Sequence, residues 1–253
     1  MWRLSSLVFA LLVIAAACSA AQSPPDFVAR GDSAFRALRY DEAISAYHEA
    51  LAAQADSASV LWRLARVLIC KGDVEEGERS EALYREAERY ARRAVELDSA
   101  SSMTHTWYAA ALGSVALHVG GKTKVRLTHH ILHEVQRAIA LNPNNDIAYS
   151  ILGSFYRALA GLSWFERQLA TIFLGRIPDG TYDDAERALR KAVELNPNAP
   201  RHRYELGLVY WDRGNKEAAR EQFARVVTMG FVTARDTLNR TDALRRLREL
   251  SEE

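Results

Sequence analysis

A small residue returns at a fixed place in successive amphipathic segments of this chain, each time followed by a second small residue near the end of the next segment. The clearest copy is Tyr149-x-x-Leu152-Gly153-x-x-Tyr156, followed by Ala185-x-x-x-Leu189 and Pro197. The same register recurs as Arg203-x-x-Leu206-Gly207-x-x-Tyr210 with Ala219-x-x-x-Phe223, and as Gly31 with Ala43-x-x-x-Tyr47 and Ala50. Two weaker copies are Leu61-x-x-Leu64-Ala65-x-x-Leu68, ending at Ala94, and His105-x-x-Tyr108-Ala109-x-x-Leu112, ending at Ala138. A glycine or alanine inside an apolar helical stripe lets a second helix cross closely, and nowhere does a period-two pattern with β-branched enrichment compete with the helical one. The fold class is therefore all-α.

The register resembles the tetratricopeptide pattern, in which two antiparallel helices cross at small residues and proline follows the second. The small residue ending each second helix is Ala50, Ala94, Ala138, Ala192 and Val226, at spacings of 44, 44, 54 and 34. Against a standard period of about 34 residues, repeats two to four are enlarged, and the extra residues fall between the two helices or lengthen them. The expectation is a tetratricopeptide-like right-handed α-solenoid of about five helical hairpins over 26–250. Met229-Gly230 ends the last hairpin, and Thr241-Asp242 opens a solvating cap from Ala243 to Leu250.

The first residues read separately. An apolar run from Leu7 to Ala17 is too short to cross a bilayer and ends in Ala15-Ala16-Ala17 before Cys18, so 1–21 reads as a secretory signal with a lipobox. Lipidation at Cys18 and plain cleavage near Ala21 both stay open. Either way the chain is expected to be exported to the cell envelope, and a lipidated Cys18 would make it a membrane-tethered, periplasm-facing or outer-membrane lipoprotein. Cys70 then has no intramolecular partner and reads as a small buried residue. Losing Arg3 with the signal brings 33 basic residues level with the 32 acidic ones, and a neutral chain is no general nucleic-acid binder.

The enlarged repeats carry a more specific likeness. Leu61-Trp62-Arg63-Leu64-Ala65-Arg66, Thr104-His105-Thr106-Trp107-Tyr108-Ala109, Gly121-Lys122-Thr123-Lys124-Val125, Gly161-Leu162-Ser163-Trp164-Phe165-Glu166-Arg167 and Gly180-Thr181-Tyr182-Asp183-Asp184-Ala185 together resemble the regulator of microtubule dynamics family. The resemblance covers roughly Leu61 to Val227. Its animal members are tetratricopeptide proteins, some linked to microtubules and others to phospholipid binding and transfer. For this chain it implies a helical scaffold and a lipid-accommodating groove; an exported chain would not meet microtubules.

In such solenoids the first helix of each repeat lines the concave face at three before, one after and four after the small residue. That rule selects Phe35, Trp62, Arg66, Ile69, Arg157, Tyr204, Leu208 and Trp211, with Thr106, Ala110, Gly113, Ser150 and Ser154 between them. This lining suits a protein or peptide partner, or a phospholipid acyl chain, with Arg66 and Arg157 offered to an anionic head. A competing expectation is that the repeats fill the groove themselves and make Trp62, Trp107 and Trp211 core. The insert 162–174 reads as an amphipathic helix followed by Gly175 and Pro178; its apolar face could dock on its own solenoid, on a partner or on a membrane surface, the solenoid being the expected site and the membrane the least suited because Arg167 is the only basic residue inside it.

Catalysis finds no support. Ala116-x-x-x-x-Gly121-Lys122-Thr123 meets only the loosest phosphate-loop pattern and follows a helical segment rather than a strand. Lys122 and Lys124 are instead an exposed basic turn open to an anionic group. His129 and His133 share a helical face but supply only two ligands and lack the glutamate of a metalloprotease motif, so neither metal nor cofactor is expected.

Overall fold

The computed structural model describes residues 23–54, 56–173 and 175–252, and among these it is all-α. The first hairpin pairs α1 (Pro24–Arg36) with α2 (Tyr40–Ala53), the second α3 (Ala58–Gly72) with α4 (Gly77–Leu97), and the third α5 (Ser102–Ala116) with α6 (Gly121–Leu141). In the fourth, α7 (Asp146–Ala160) pairs with α9 (Tyr182–Leu195) across an inserted α8 (Trp164–Phe173). The fifth pairs α10 (Pro200–Asp212) with α11 (Lys216–Thr228), and α12 (Arg235–Glu252) packs on it. The five hairpins and the tetratricopeptide-like architecture are those expected. The leader and Cys18 lie outside the described residues.

Local chemistry sets the boundaries. Asn145, Thr181 and Asn215 cap α7, α9 and α11 by accepting a backbone N–H with their side-chain oxygens, which satisfies a donor the first helical turn leaves open. The Asn-Pro steps at 142–143 and 196–197 end α6 and α9, because proline cannot continue the helical hydrogen bonding. The closing helix begins eight residues earlier than Thr241-Asp242 suggests. Asp236 accepts N–H bonds from Val232 and Thr233 at 2.9 and 2.7 Å and so caps it near Arg235.

The enlargement takes two forms. In repeats two and three the second helices α4 and α6 run to 21 residues, against 14 in α2 and α9; seven extra residues add about 10 Å. In repeat four the extra residues form α8 and its loops.

Packing turns on the small residues. A Cβ placed on Gly31 would stand 2.4 Å from the Tyr47 ring, one on Gly153 2.4 Å from Leu189 Cγ, and one on Gly207 2.6 Å from the Phe223 ring. Tyr47, Leu189 and Phe223 are completely buried, so none can step aside. Repeat two has a second close crossing further out, where Tyr84 lies over Gly72 and donates to Asp73 Oδ1 at 2.9 Å. Cys70 is buried on α3, and burial pushes its thiol up to about 12, so it is inert.

Two buried polar groups tie repeat three together. Asn145 donates to Ser102 Oγ and Thr106 Oγ1 at 2.7 and 2.8 Å, joining α7 to α5. His105 bonds the Glu134 carboxylate at 2.5 Å through Nδ1 and the Ser99 carbonyl at 3.0 Å through Nε2. Both partners are acceptors, so both ring nitrogens carry protons. The bond to Glu134 raises the pKa of His105 against the opposing effect of burial. Burial works to raise the pKa of Glu134, but His105 and His133 outweigh it and hold it below its ordinary value.

The crossings and the buried pair can each be tested by stability. Gly153→Ala should destabilise by about 1–3 kcal/mol through overpacking. Gly113→Ala, mid-helix with open space at its Cβ position, should stabilise by about 0.5–1 kcal/mol. Equal melting shifts in calorimetry would contradict the role of the crossing. The His105–Glu134 pair should be fully stabilising between the unfolded values of 4.5 and 6.5. Its contribution should fade as pH rises through the raised folded pKa of His105 and as pH falls through the depressed one of Glu134. Urea stability measured across pH should therefore slope downward above 6.5, and His105→Gln should remove that slope.

Candidate functional site: the concave face

The register rule places its residues on first helices, but the structure gives most of them protein partners. Phe35 is buried under the Arg66 guanidinium, whose central carbon stands 3.9 Å from the ring centroid. Half-buried Trp62 lies beneath Arg63 at 4.3 Å and Arg66 at 5.4 Å. Arg66 donates to Asp32 Oδ1 at 3.0 Å and to the Tyr47 hydroxyl at 3.1 Å. Burial works to raise the pKa of Asp32, but the Tyr47 hydroxyl and the guanidinium groups of Arg63 and Arg66 outweigh it and hold it below the usual carboxylate range. Ile69 and Leu208 are core, and Thr106 is spent in the Asn145 network.

Arg157 is in the same condition. It pairs with Asp212 at 2.9 Å and faces Glu205 at 3.7 Å. Burial disfavours its charge, yet the two carboxylates raise its pKa. Arg66 and Arg157 thus stand apart, each with its own carboxylates. Of the tryptophans weighed as core, Trp107 is buried and Trp62 and Trp211 are half-buried against core clusters.

At its repeat-five end the concave face is covered by α12. Tyr204 donates to Asp242 Oδ2 at 2.8 Å, and Arg246 lies over the Trp211 ring at 4.7 Å. At the other end, the Ala234 N–H donates to the Tyr40 hydroxyl at 2.8 Å and Arg235 donates to the Asp73 carbonyl at 3.1 Å. Arg201 of α10 also reaches Asp73 Oδ2 at 3.8 Å. Repeat five and the closing helix therefore meet repeats one and two, and the solenoid closes on itself. The signal for this is present as Ala243, Leu247 and Leu250, an apolar stripe at helical spacing that packs with α10 and α11.

Some buried polar atoms make no hydrogen bond: Ser150 Oγ and Asp236 Oδ1, and the facing pair of Arg157 Nε and Glu205 Oε2 at 3.7 Å. They belong to α7, α10 and α12, of which α10 packs on each of the other two.

The insert behaves otherwise than expected. No residue of α8 is buried, so the expected docking of its apolar face onto the solenoid is overturned: the face turned inward carries Arg167, which donates to the Leu159 carbonyl at 2.8 Å. Lys122 and Lys124 are exposed at the start of α6, away from the groove. His129 donates to the Arg176 carbonyl and His133 bonds Glu134. Among the described residues no group of three or more His, Cys, Asp or Glu side chains could hold a metal ion.

The family model described as Regulator of microtubule dynamics protein 1-3 matches residues 27–251. The chain belongs to that family. Regulator of microtubule dynamics protein 1 of Mus musculus is 31% identical over 169 residues, 66% of this chain and 55% of that protein. Its Bos taurus counterpart is 30% identical over 204 residues, 79% of this chain and 64% of that protein. This family member thus spans a little over half to just under two thirds of those relatives. Among solved structures, a thermophilic tetratricopeptide protein of Thermus thermophilus aligns with a TM-score of 0.64 at 18% identity, covering 88% of this chain and 99% of that one. The PilF protein of Pseudomonas aeruginosa aligns with a TM-score of 0.51 at 16% identity, covering 90% and 87%. These likenesses establish the tetratricopeptide-like fold of the family member.

The closure makes a local prediction. Tyr40→Phe leaves the Ala234 N–H without its acceptor, which should cost about 1–3 kcal/mol. Hydrogen exchange should speed up at residues 232–240 while the hairpin cores keep their protection. Uniform loss of protection would show that the contact is not a separate latch.

Proposed function

We propose that this family member is a non-catalytic tetratricopeptide scaffold whose concave face binds a protein or peptide segment. The observation that carries the reading is the polar interior. Ser150 Oγ and Asp236 Oδ1 are buried without hydrogen bonds, and Arg157 Nε and Glu205 Oε2 face each other at 3.7 Å, too far apart to bond directly; a polypeptide backbone offers both donors and acceptors to such atoms. An acyl chain offers neither, and each polar atom left unmet costs about 1–3 kcal/mol. The face already accommodates one polypeptide helix, its own α12, through Tyr204 and Trp211.

The location belongs to the same proposal: an exported chain in the cell envelope, tethered to a membrane through a lipidated Cys18. Its support is the apolar run Leu7–Ala17, which ends in Ala15-Ala16-Ala17 directly before Cys18. The relatives' name refers to microtubule dynamics, and an envelope protein has no access to microtubules.

Peptide display against the purified protein tests the binding. Selected peptides should bind in the micromolar range and lose about tenfold or more on Ser154→Trp, which adds bulk to the half-buried concave side of α7. Stoichiometric phospholipid in organic extracts of the protein, with no selected peptide, would replace this reading by a lipid carrier. Fractionation of cells carrying Cys18→Ser tests the tether: release of the variant from membranes is expected, and an unmutated protein that is already soluble would refute it.

A further inference from the structure

The inserted helix α8 is docked with its polar side inward. At about 100° per residue, Trp164, Phe165, Leu169, Ile172 and Phe173 fall on one side of it, with Gln168 among them, while Arg167 and Ala170, its two half-buried residues, fall on the other. Arg167 anchors the inner side to the carbonyls of Leu159 and Pro178 at 2.8 and 3.5 Å. The apolar side faces out: Trp164 is 75% exposed, Ile172 69% and Phe173 73%. A soluble helix ordinarily packs the opposite way, and a cluster of exposed aromatics marks a surface made to be covered.

What surrounds this face identifies the cover. Residues 99–133 contain no aspartate or glutamate, and the first half of α6 presents Lys122, Lys124 and Arg126 to solvent. That half lies beside the loop following α8, joined by the His129 bond to the Arg176 carbonyl at 2.7 Å. Lysines in a first helical turn oppose the helix dipole and concentrate positive potential there. Of the acids close by, Glu166 is taken up in bonds to Ser163 and Asp179 faces Arg176 at 3.8 Å. A second copy of the chain fits poorly. Five such side chains offer on the order of 500 Å², short of the roughly 800 Å² each partner contributes to a stable dimer. The basic rim would also meet its own charge.

We propose that α8 is an interfacial helix that seats Trp164, Phe165, Ile172 and Phe173 in an anionic lipid surface, with Lys122, Lys124, Arg126 and Arg176 meeting the headgroups. An amphipathic helix of this kind lies in the plane of the interface with its apolar side about 5–10 Å deep. Among the described residues no helix is long and apolar enough to cross a membrane, so this contact is one of surface docking. It is independent of what the groove binds.

Flotation of the full chain with phosphatidylglycerol–phosphatidylcholine vesicles tests this. The N-terminal segment is common to every variant, so differences between variants report α8 and its rim. Trp164→Ser/Ile172→Ser/Phe173→Ser should lower vesicle affinity by about tenfold or more, and Lys122→Glu/Lys124→Glu should do so on anionic vesicles but not on pure phosphatidylcholine. Both variants change exposed side chains and should keep the parent melting temperature. If melting falls, hydrogen exchange of the unmutated chain decides: added vesicles should protect 163–173 and the first half of α6. Unchanged affinity in the triple variant, or no protection in α8, overturns the proposal. So does a lipid-free dimer that the triple variant dissolves, since the occupant would then be a second copy.

Discussion

Every level of this structure depends on the contact between a small residue on one helix and a bulky, immovable side chain on its partner. With Gly31 under Tyr47, Gly153 under Leu189 and Gly207 under Phe223, there is no room for a Cβ, and the crossings of hairpins one, four and five are fixed by hard contact rather than by general apolar attraction. Fixing the crossing fixes which face of each first helix turns inward. Repeat two shows how a hairpin is lengthened without losing this control. Tyr84 packs over Gly72, and Ser80 donates to the Gly72 carbonyl at 2.9 Å, so the added turns of α4 have a crossing of their own.

A solenoid is open at both ends, and each repeat contacts only its neighbours. This chain departs from that rule because α12 and the turn before it carry contacts back to repeats one and two. The bonds from Ala234 to Tyr40 and from Arg235 to Asp73 join residues far apart in sequence. Their geometric consequence is that part of the concave face is enclosed, and some polar groups that would be hydrated in an open groove are buried. Burial pushes the Tyr40 phenol up to about 12, which keeps it neutral and able to accept the Ala234 N–H at any physiological pH.

The hairpin count, the enlarged repeats and the first-helix register are legible in the sequence because small residues at constant spacing report a steric requirement directly. Three things are not. Partners of charged groups depend on approaches between repeats: that Arg66 lies on Asp32 and Arg157 on Asp212 follows from superhelical twist, to which a local motif is blind. The closing helix reads as a solvating cap since its arginines dominate its composition, yet Arg246 stacks on Trp211 while Ala243 and Leu250 enter the core. Asp236 does not stand out as its cap, because the bonds it accepts come from the preceding turn.

The third is the orientation of α8, and it shows where sequence patterning stops being informative. Apolar residues at helical spacing establish that a helix has an apolar side; they do not establish which side the rest of the protein holds. Here one guanidinium decides, since Arg167 finds two backbone carbonyls at the mouth of the α7–α9 hairpin and draws the polar side inward. The groove and this outward face are built by different means, the first by the closure of the superhelix and the second by an insertion at the hairpin turns. Because α8 is held through Arg167 at the hairpin turns and does not pack on α12, a ligand on either surface need not reshape the other. The proposed polypeptide binding on the concave face and the proposed lipid contact at α8 are thus compatible in one scaffold, because the enlargement of repeat four adds its helix at the hairpin turns and leaves the first-helix register unchanged.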